Sequence, residues 1–222
     1  MAGTMTRKAV IFDLDGTLLD TLGDIAAAGN AVLRKRGLPE HPVDAFRQFV
    51  GGGMANLARR IFPPDRQPAD GPEHDSALAD YKAEYATRWR DSTVPYDGIP
   101  ELLDALVERE VALAVVSNKA QIFTEQCIDA YLGNWPWQVV FGQREGIPHK
   151  PDPAGATEAA ARLGVAPEAC LFVGDSGVDM ETGRRAGMEP VGVLWGFRGE
   201  AELRERGAAG LIRHPLELLD WL

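Results

Sequence analysis

Short apolar runs alternate along much of the chain with stretches in which apolar residues recur every three or four positions. The short runs are rich in Val, Ile, Leu and Phe, which is typical of strands buried on both faces. They cover residues 9–12, 111–117, 138–141, 170–173 and 191–194. The stretches between them have the spacing of amphipathic helices. Strands that alternate with helices predict an α/β fold, a Rossmann-like doubly wound parallel sheet with helices on both faces.

One connection is much longer than this pattern requires. A connection between parallel strands needs only roughly 30 residues, but nearly 100 residues separate the first predicted strand from the second. The surplus is helical in pattern, so we expect a helical cap domain at residues 21–93, inserted into a core formed by residues 1–20 and 94–222. Open α/β sheets bind ligands at the carboxyl ends of their strands. The insertion begins there, so we expect it to act as a lid.

Two details inside the insertion are predicted from short motifs. Thr21 and Asp24 have the spacing of a capping box at the start of a helix. The segment 63–76 contains four prolines and many polar residues, which favours a loop.

The charge of the chain narrows its possible partners. The 222 residues carry a formal net charge of −10, which disfavours binding to nucleic acid or to an anionic membrane. No apolar stretch approaches the length of a membrane span, and the residues before the first strand leave no room for a signal peptide.

The two cysteines bear on the compartment. Cys127 and Cys170 lie in apolar contexts that favour reduced core residues over a disulfide. We therefore expect a cytoplasmic protein, either a monomer or a homodimer.

The first strand is followed by two aspartates, a glycine and a threonine. Asp13 and Asp15 are two residues apart, so both carboxylates leave the strand on the same side. Gly16 lets the backbone turn, and Thr17 places a hydroxyl close by. Carboxylates at the end of a buried strand are costly unless they are protonated, paired or bound to a metal. Taken alone, these residues are also compatible with a solvated turn.

Two later segments bring further polar groups to the same edge of the predicted sheet. Ser117 and Asn118 end the second strand where the next helix is expected to begin. This arrangement would form an anion site, although Ser-Asn is also an ordinary helix cap. Lys150 lies between prolines that restrict its backbone and suit a cation aimed at a fixed point. A solvated loop lysine is the alternative.

The fourth strand leads to Asp175, and Asp179 follows in the first turn of the next helix. Acidic residues are favoured in that turn by the helix dipole in any case. With Asp13 and Asp15 they place four carboxylates at one edge of the sheet, accompanied by a single lysine. Such a cluster requires a cation to stay ionised. Ligation by oxygen alone is typical of Mg²⁺, and the lack of His or Cys with ligand spacing disfavours zinc.

Together these segments resemble the haloacid dehalogenase superfamily. The stretch DLDGTLLD matches its first motif, Ser117 its second, Lys150 its third and GDSGVD its fourth, in the family's order and with a helical cap after the first. Asp15 implies the phosphatase branch, since the dehalogenase branch lacks that second aspartate and works without a metal. The segments FVGGGM and WGFRGEAEL are similar to those of phosphoglycolate phosphatases.

The resemblance implies a mechanism and a set of site residues. Asp13 would attack a phosphomonoester and form an aspartyl-phosphate, and Asp15 would act first as acid and then as base. Mg²⁺ would be held by four aspartates, one of them through its backbone carbonyl: Asp13, Asp15 (the carbonyl), Asp175 and Asp179. The phosphate would be held by residues that follow the first three strands: Gly16, Thr17, Ser117, Asn118 and Lys150.

The cap is expected to select the substrate. Gly51, Gly52 and Gly53 interrupt a predicted helix and would let backbone approach a small ligand. Arg47, Arg59 and Arg60 would add positive charge for a substrate carboxylate, although cap arginines are commonly solvated.

The leading hypothesis is a Mg²⁺-dependent phosphatase of a small phosphorylated metabolite, with 2-phosphoglycolate as the first candidate. Two alternatives come from the same family, a phosphomutase of the β-phosphoglucomutase type and a pyrophosphatase. A regulatory module that binds a phosphorylated ligand without chemistry is the alternative from another class. The intact set of Asp13, Asp15, Lys150 and Asp175 argues against that last hypothesis.

Overall fold

The computed structural model describes residues 7–222. The expected lack of a signal peptide concerns residues 1–6, which lie outside the described part. The described chain forms two compact units: a core unit made of residues 7–19 and of Pro95–Leu222, and an inserted unit, Asp20–Val94. Within residues 7–222, none of the helices combines the length and the apolar character needed to cross a bilayer.

The secondary structure elements follow one another in a regular alternation outside the inserted unit. The strands are β1 Ala9–Phe12, β2 Leu19–Asp20, β3 Val94–Pro95, β4 Ala112–Ala120, β5 Trp137–Gln143, β6 Cys170–Gly174, β7 Glu189–Val193 and β8 Gly210–Ile212. The α-helices are α1 Leu22–Lys35, α2 Phe46–Phe49, α3 Gly53–Arg60, α4 Pro72–Arg88, α5 Ile99–Glu108, α6 Gln121–Cys127, α7 Ala154–Leu163, α8 Gly177–Arg185 and α9 Glu200–Glu205. A π-helical segment, Ile128–Leu132, continues α6, and a 3₁₀-helix, Pro215–Trp221, follows β8.

Six strands form one parallel sheet in the core unit, in the order β5-β4-β1-β6-β7-β8. β1 is central, and its Ile11 pairs with Ala114 of β4 on one side and with Phe172 of β6 on the other. All four residues of β1 are buried, which explains why the strand is uniformly apolar. The predicted α/β fold class is confirmed. Strand β8 was not predicted, because its three residues are too few to produce a recognisable pattern.

Helix α7 belongs to an apolar cluster of the core unit. Its Ala156 and Ala159 are buried in the same cluster as Ile11 and Phe172. Small side chains allow close packing between a helix and a sheet, which accounts for the alanine-rich sequence of this helix. Cys170 lies in the same cluster, and both cysteines are buried free thiols, as predicted.

The inserted unit is built mainly from α1 and α4. Tyr81 and Tyr85 of α4 are buried and stack with their ring centroids 5.9 Å apart. The loop predicted at residues 63–76 is wrong in its last part, because α4 begins at Pro72. Proline fits the first turn of a helix, where its missing N–H would have no acceptor within the helix.

The capping box predicted at Thr21 is wrong as well. Thr21 precedes α1 without a capping hydrogen bond from its side chain, and the buried Asp24 carboxylate has other partners. It accepts hydrogen bonds from the backbone N–H and the hydroxyl of Ser92, at 2.8 and 2.6 Å. It accepts the same pair from Thr93, at 3.0 and 2.7 Å. Asp24 therefore connects the first turn of α1 to the other end of the inserted unit.

Replacing Asp24 with alanine is expected to lower the free energy of unfolding by about 2–4 kcal/mol, because four donors lose a charged acceptor in a buried place. Urea unfolding followed by circular dichroism measures this change. Asp44 provides a control, since its side chain is 87% exposed in its ion pair with Arg47. Asp44→Ala is expected to change the free energy by less than about 0.5 kcal/mol. Equal losses for the two variants would contradict the role given to Asp24.

Candidate active site

Neighbouring strands β1 and β6 each lead into an aspartate at their carboxyl ends. Asp13 follows β1 directly, and its backbone N–H donates to Val173 O at 2.9 Å, which extends the pairing with β6 by one residue. Asp175 follows Gly174, the last residue of β6. The parallel register therefore brings both aspartates to the same edge of the sheet.

Three aspartates form a buried group that could hold a metal ion. Carboxylate oxygens of Asp13, Asp175 and Asp179 lie within 4.8 Å of one another. Asp13 Oδ1 accepts no hydrogen bond of good geometry within residues 7–222, although Lys150 Nζ lies 2.9 Å away. A buried acceptor of this kind, within a donor set made only of oxygen, fits a hard divalent cation.

The crowding of these acids changes their affinity for protons. Burial raises the pKa of Asp13 to about 6, with Lys150 opposing the rise and Asp179 adding to it. Burial also raises the pKa of Asp175 well above its ordinary value, and the charges of Asp179 and Asp13 add to that rise. Both pKa shifts reflect the cost of holding a buried carboxylate ionised, which the neighbouring carboxylates increase. A bound cation would offset this cost.

Lys150 supplies positive charge to the aspartates. Its Nζ lies 2.9 Å from Asp13 Oδ1 and donates to Asp179 Oδ1 at 2.7 Å. Burial by itself lowers the pKa of Lys150, but the charges of Asp13 and Asp179 outweigh it and raise this pKa above its ordinary value. The ammonium group therefore stays charged although its side chain is only 5% exposed.

Asp179 connects Lys150 to the start of α8. Its Oδ1 accepts from Lys150, and its Oδ2 accepts from the backbone N–H and the hydroxyl of Ser176, at 3.0 and 2.6 Å. Its position in the first helical turn thus serves both the helix terminus and the lysine.

The backbone of Lys150 is held by Asn118. The side-chain amide of Asn118 accepts from Lys150 N–H at 2.8 Å and donates to Lys150 O at 3.0 Å. Both ends of this amide are used to position the lysine. The predicted role of Asn118 in phosphate binding therefore rests on its backbone N–H.

Ser117 and Asn118 do not lie at the start of a helix, in contrast to the prediction. β4 continues to Ala120, and α6 begins at Gln121. The strand was predicted three residues too short because the apolar run ends at Val116 and polar residues follow. These polar residues are nevertheless buried, since they line the edge of the sheet at which the aspartates meet.

The expectation of a single lysine is also wrong. Lys119 Nζ donates to both carboxylate oxygens of Asp15, at 2.9 and 3.2 Å. The side chains of Lys119 and Asp15 are 3% and 12% exposed. A signal for this residue was present in the sequence, because Lys119 is two residues beyond Ser117 and shares its side of an extended chain. The carboxylate of Asp15 thus has its own cation and is not part of the group of three aspartates.

The loop after β1 is held by a segment that follows β7. Asp175 Oδ2 accepts from the backbone N–H of Phe197 at 2.7 Å, and Trp195 Nε1 donates to Thr17 O at 3.0 Å. Gly16 has a φ of +85°, and a Cβ at that position would lie 2.3 Å from Asp175 Oδ2, so only glycine fits. The Thr17 hydroxyl is buried and has no hydrogen-bond partner in the described chain.

The residues predicted to contact the substrate from the cap belong to the inserted unit. Arg47 pairs with Asp44 at 3.2 Å, and Arg59 pairs with Asp70. The glycines 51–53 break the helical path as predicted, and α3 begins at the last of them. Both arginines thus have carboxylate partners nearby, and their contact with substrate stays a prediction.

Comparisons of the sequence with known proteins agree on one family. A family model described as haloacid dehalogenase-like hydrolase matches residues 10–193. The N-acetylmuramic acid 6-phosphate phosphatase of Pseudomonas aeruginosa is 34% identical over 219 residues, which cover 98% of this chain and 96% of that protein. The phosphoglycolate phosphatase of Pseudomonas putida is 35% identical over 199 residues, which cover 88% of this chain and 72% of that protein.

A solved structure has nearly the same fold. The protein of Lactobacillus delbrueckii subsp. bulgaricus superposes with a TM-score of 0.88 at 29% identity, covering 96% of this chain and 97% of that one. The family model spans most of the chain, and the two relatives are phosphatases that align with most of their own length. The chain therefore belongs to the haloacid dehalogenase-like hydrolases, within which it is similar to the phosphoglycolate phosphatases, and it is a phosphoric monoester hydrolase.

Proposed function

We propose that this hydrolase is a Mg²⁺-dependent phosphatase of a small phosphorylated metabolite, acting in the cytoplasm through an aspartyl-phosphate intermediate. The observation that carries the proposal is the position of Asp13. Its carboxylate lies within the buried group of aspartates and beside the Lys150 ammonium. A nucleophile in such a place meets the substrate phosphate next to the charges that neutralise it.

The reaction divides into two displacements at phosphorus. A carboxylate oxygen of Asp13 attacks in line, the ester P–O bond breaks, and Asp15 gives its proton to the departing alkoxide oxygen. A water molecule then attacks the phosphorus of the aspartyl-phosphate and passes a proton to Asp15. Inorganic phosphate leaves, and both carboxyl groups return to their starting states.

The negative charge that develops on the phosphoryl oxygens needs compensation from the site. Asp13, Asp175 and Asp179 would hold Mg²⁺, which when bound neutralises charge on the aspartates and on the transferring phosphoryl group. Lys150 adds a fixed positive charge on the same side. The backbone N–H of Gly16 and of Asn118 and the hydroxyls of Thr17 and Ser117 are proposed to hold the remaining phosphate oxygens.

The inserted unit is the part of the chain proposed to select the leaving group. The leading substrate is 2-phosphoglycolate, supported by the resemblance of the motifs and by the relative from P. putida. A second candidate is N-acetylmuramic acid 6-phosphate. The relative named for this substrate aligns with 98% of this chain, whereas the relative from P. putida aligns with 88%.

A panel of phosphate esters separates these substrates. Purified protein is assayed for phosphate release from 2-phosphoglycolate, N-acetylmuramic acid 6-phosphate, β-glucose 1-phosphate, pyrophosphate and p-nitrophenyl phosphate, and the substrates are ranked by kcat/KM. We expect 2-phosphoglycolate to rank first and chelation of Mg²⁺ to lower kcat by about 100-fold or more. Isomerisation of β-glucose 1-phosphate without net phosphate release would indicate a mutase, and a lack of phosphate release from every ester would contradict the proposal.

Replacing Asp13 with asparagine is expected to lower kcat by about three orders of magnitude or more, because an amide oxygen is a poor nucleophile. The shape of the side chain is kept, so the circular dichroism spectrum should stay that of the wild type. Asp129→Asn changes the same group on an exposed part of the core unit and serves as the control. Activity of Asp13→Asn comparable to that control would remove Asp13 from the mechanism.

Replacing Lys150 with alanine is expected to raise the activation free energy by about 2–4 kcal/mol, the range found when one fixed electrostatic group is removed from an active site. The ratio of kcat/KM between wild type and variant measures it. Lys82, which is exposed on α4, gives the matched control Lys82→Ala. A loss of less than about threefold for Lys150→Ala would mean that its ammonium does not act on the transferring phosphate.

A further inference from the structure

The carboxylate of Asp15 is held by a buried lysine that the proposed mechanism does not use. Lys119 Nζ donates to Asp15 Oδ1 at 2.9 Å and to Asp15 Oδ2 at 3.2 Å. The Lys119 side chain is 3% exposed. An ammonium group is costly to bury without a partner. Two hydrogen bonds to one carboxylate both offset that cost and restrict the rotation of the carboxylate.

The backbone around Lys119 departs from regular strand geometry, which affects the direction of this side chain. β4 and β5 lose their regular register between Val116 and Ala120, and pairing resumes at Ala120 with Gln143. Such irregularities redirect side chains next to functional sites. The Lys119 carbonyl oxygen accepts from the Thr124 hydroxyl at 3.3 Å.

The backbone of β5 also approaches this point closely. A Cβ at position Gly142 would lie 2.6 Å from the Lys119 carbonyl oxygen. The backbone of Lys119 is therefore closely packed, and its ammonium group is paired with Asp15.

The two lysines of the site have different carboxylate partners. Lys150 Nζ contacts Asp13 and Asp179, whereas Lys119 Nζ contacts Asp15. Asp13 is the proposed nucleophile, and Asp15 is the proposed acid for the leaving group. The two proposed catalytic carboxylates thus contact different cations, which are supplied by different segments of the chain.

We infer that Lys119 is a positioning residue, which holds one oxygen of the Asp15 carboxyl group so that the other, which carries the proton before transfer, reaches the leaving-group oxygen. The pairing of Lys119 with both oxygens is that of the ionised carboxylate, the form that proton transfer leaves. The inference rests on the proposed function and deepens it, because it assigns Lys119 to the leaving-group step alone. Lys119 acts through Asp15 and not on the phosphoryl group. Proton transfer requires hydrogen-bond distance and alignment, and a small misplacement of such a group reduces the rate strongly.

This assignment predicts that the effect of Lys119 depends on the leaving group. An alkoxide is a strong base and needs a proton as the P–O bond breaks. p-Nitrophenolate is a weak base and leaves without one. Loss of Lys119 should therefore slow the hydrolysis of alkyl phosphates and affect p-nitrophenyl phosphate little, whereas loss of Lys150 should slow both.

The test compares Lys119→Met with Lys150→Ala on two esters, p-nitrophenyl phosphate and the alkyl phosphate that ranks first in the panel. The parameter is kcat/KM, which reports the first phosphoryl transfer. For Lys119→Met we expect a loss of about 100-fold with the alkyl ester and less than about threefold with the aryl ester. Lys35→Met removes an ammonium that is 60% exposed and paired with Asp80 in the inserted unit, and it should leave both values unchanged.

A second comparison removes the partner. If Lys119 acts through Asp15, then adding Lys119→Met to Asp15→Asn causes no further loss with the alkyl ester. Circular dichroism and thermal melting establish that each variant is folded, and the double variant carries no unpaired charge from this pair. The double variant thus keeps the test valid where the single variant does not fold.

Equal losses of Lys119→Met on both esters, or additive losses in the double variant, would overturn the inference while leaving the proposed function intact. Wild-type protein that releases phosphate from no ester would instead count against the proposed function, and the inference would be withdrawn with it.

Discussion

Asp13, Asp175 and Asp179 share one buried space at the carboxyl edge of the sheet, and their mutual repulsion is the constraint around which the rest of the site is arranged. Burial raises the pKa values of Asp13 and Asp175, and that repulsion adds to the rise. Lys150 offsets part of it by contacting two of the three carboxylates. A divalent cation would offset the remainder, so the crowding that is unfavourable without a ligand would favour the binding of such a cation.

Surrounding residues keep this arrangement from relaxing. The side chain of Asn118 forms hydrogen bonds with both the N–H and the carbonyl oxygen of Lys150. The backbone N–H of Phe197 donates to the Asp175 carboxylate. Gly16 leaves room for the Asp175 carboxylate where any other residue would collide with it. Hydrogen bonds and close packing thus oppose the outward movement of the charged groups. In a site held in this way, reorganisation costs little free energy when charge develops on a phosphoryl group.

The parts of the fold that were predictable from the sequence are those carried by a continuous local pattern. The apolar run of β1 and the aspartates after it identify the edge of the sheet, because strand direction and side-chain alternation follow directly from the pattern. β4 was predicted too short because the apolar run is followed by the polar residues Ser117, Asn118 and Lys119 before the strand ends. The burial of the Lys119 side chain depends on a partner distant in sequence, because Asp15 is 104 residues away from it.

The same limit explains the error at Asp24. Its spacing from Thr21 is that of a capping box, but its carboxylate accepts from Ser92 and Thr93, which lie nearly 70 residues further along the chain. Local motifs describe the partners that a side chain has within its own helix. They carry no information on competing donors that the fold brings to it, and those donors decide the outcome when the carboxylate is buried.

The central claim is that Asp13 takes the phosphoryl group while the neighbouring aspartates hold the cation. Its most direct test is to mix the protein with p-nitrophenyl phosphate, quench within a single turnover in acid, and locate the phosphoryl group by peptide mass mapping. The account predicts a phosphorylated peptide that contains Asp13 when Mg²⁺ is present and none when Mg²⁺ is chelated. A phosphoryl group on another residue, or turnover without any phosphorylated peptide, would contradict it.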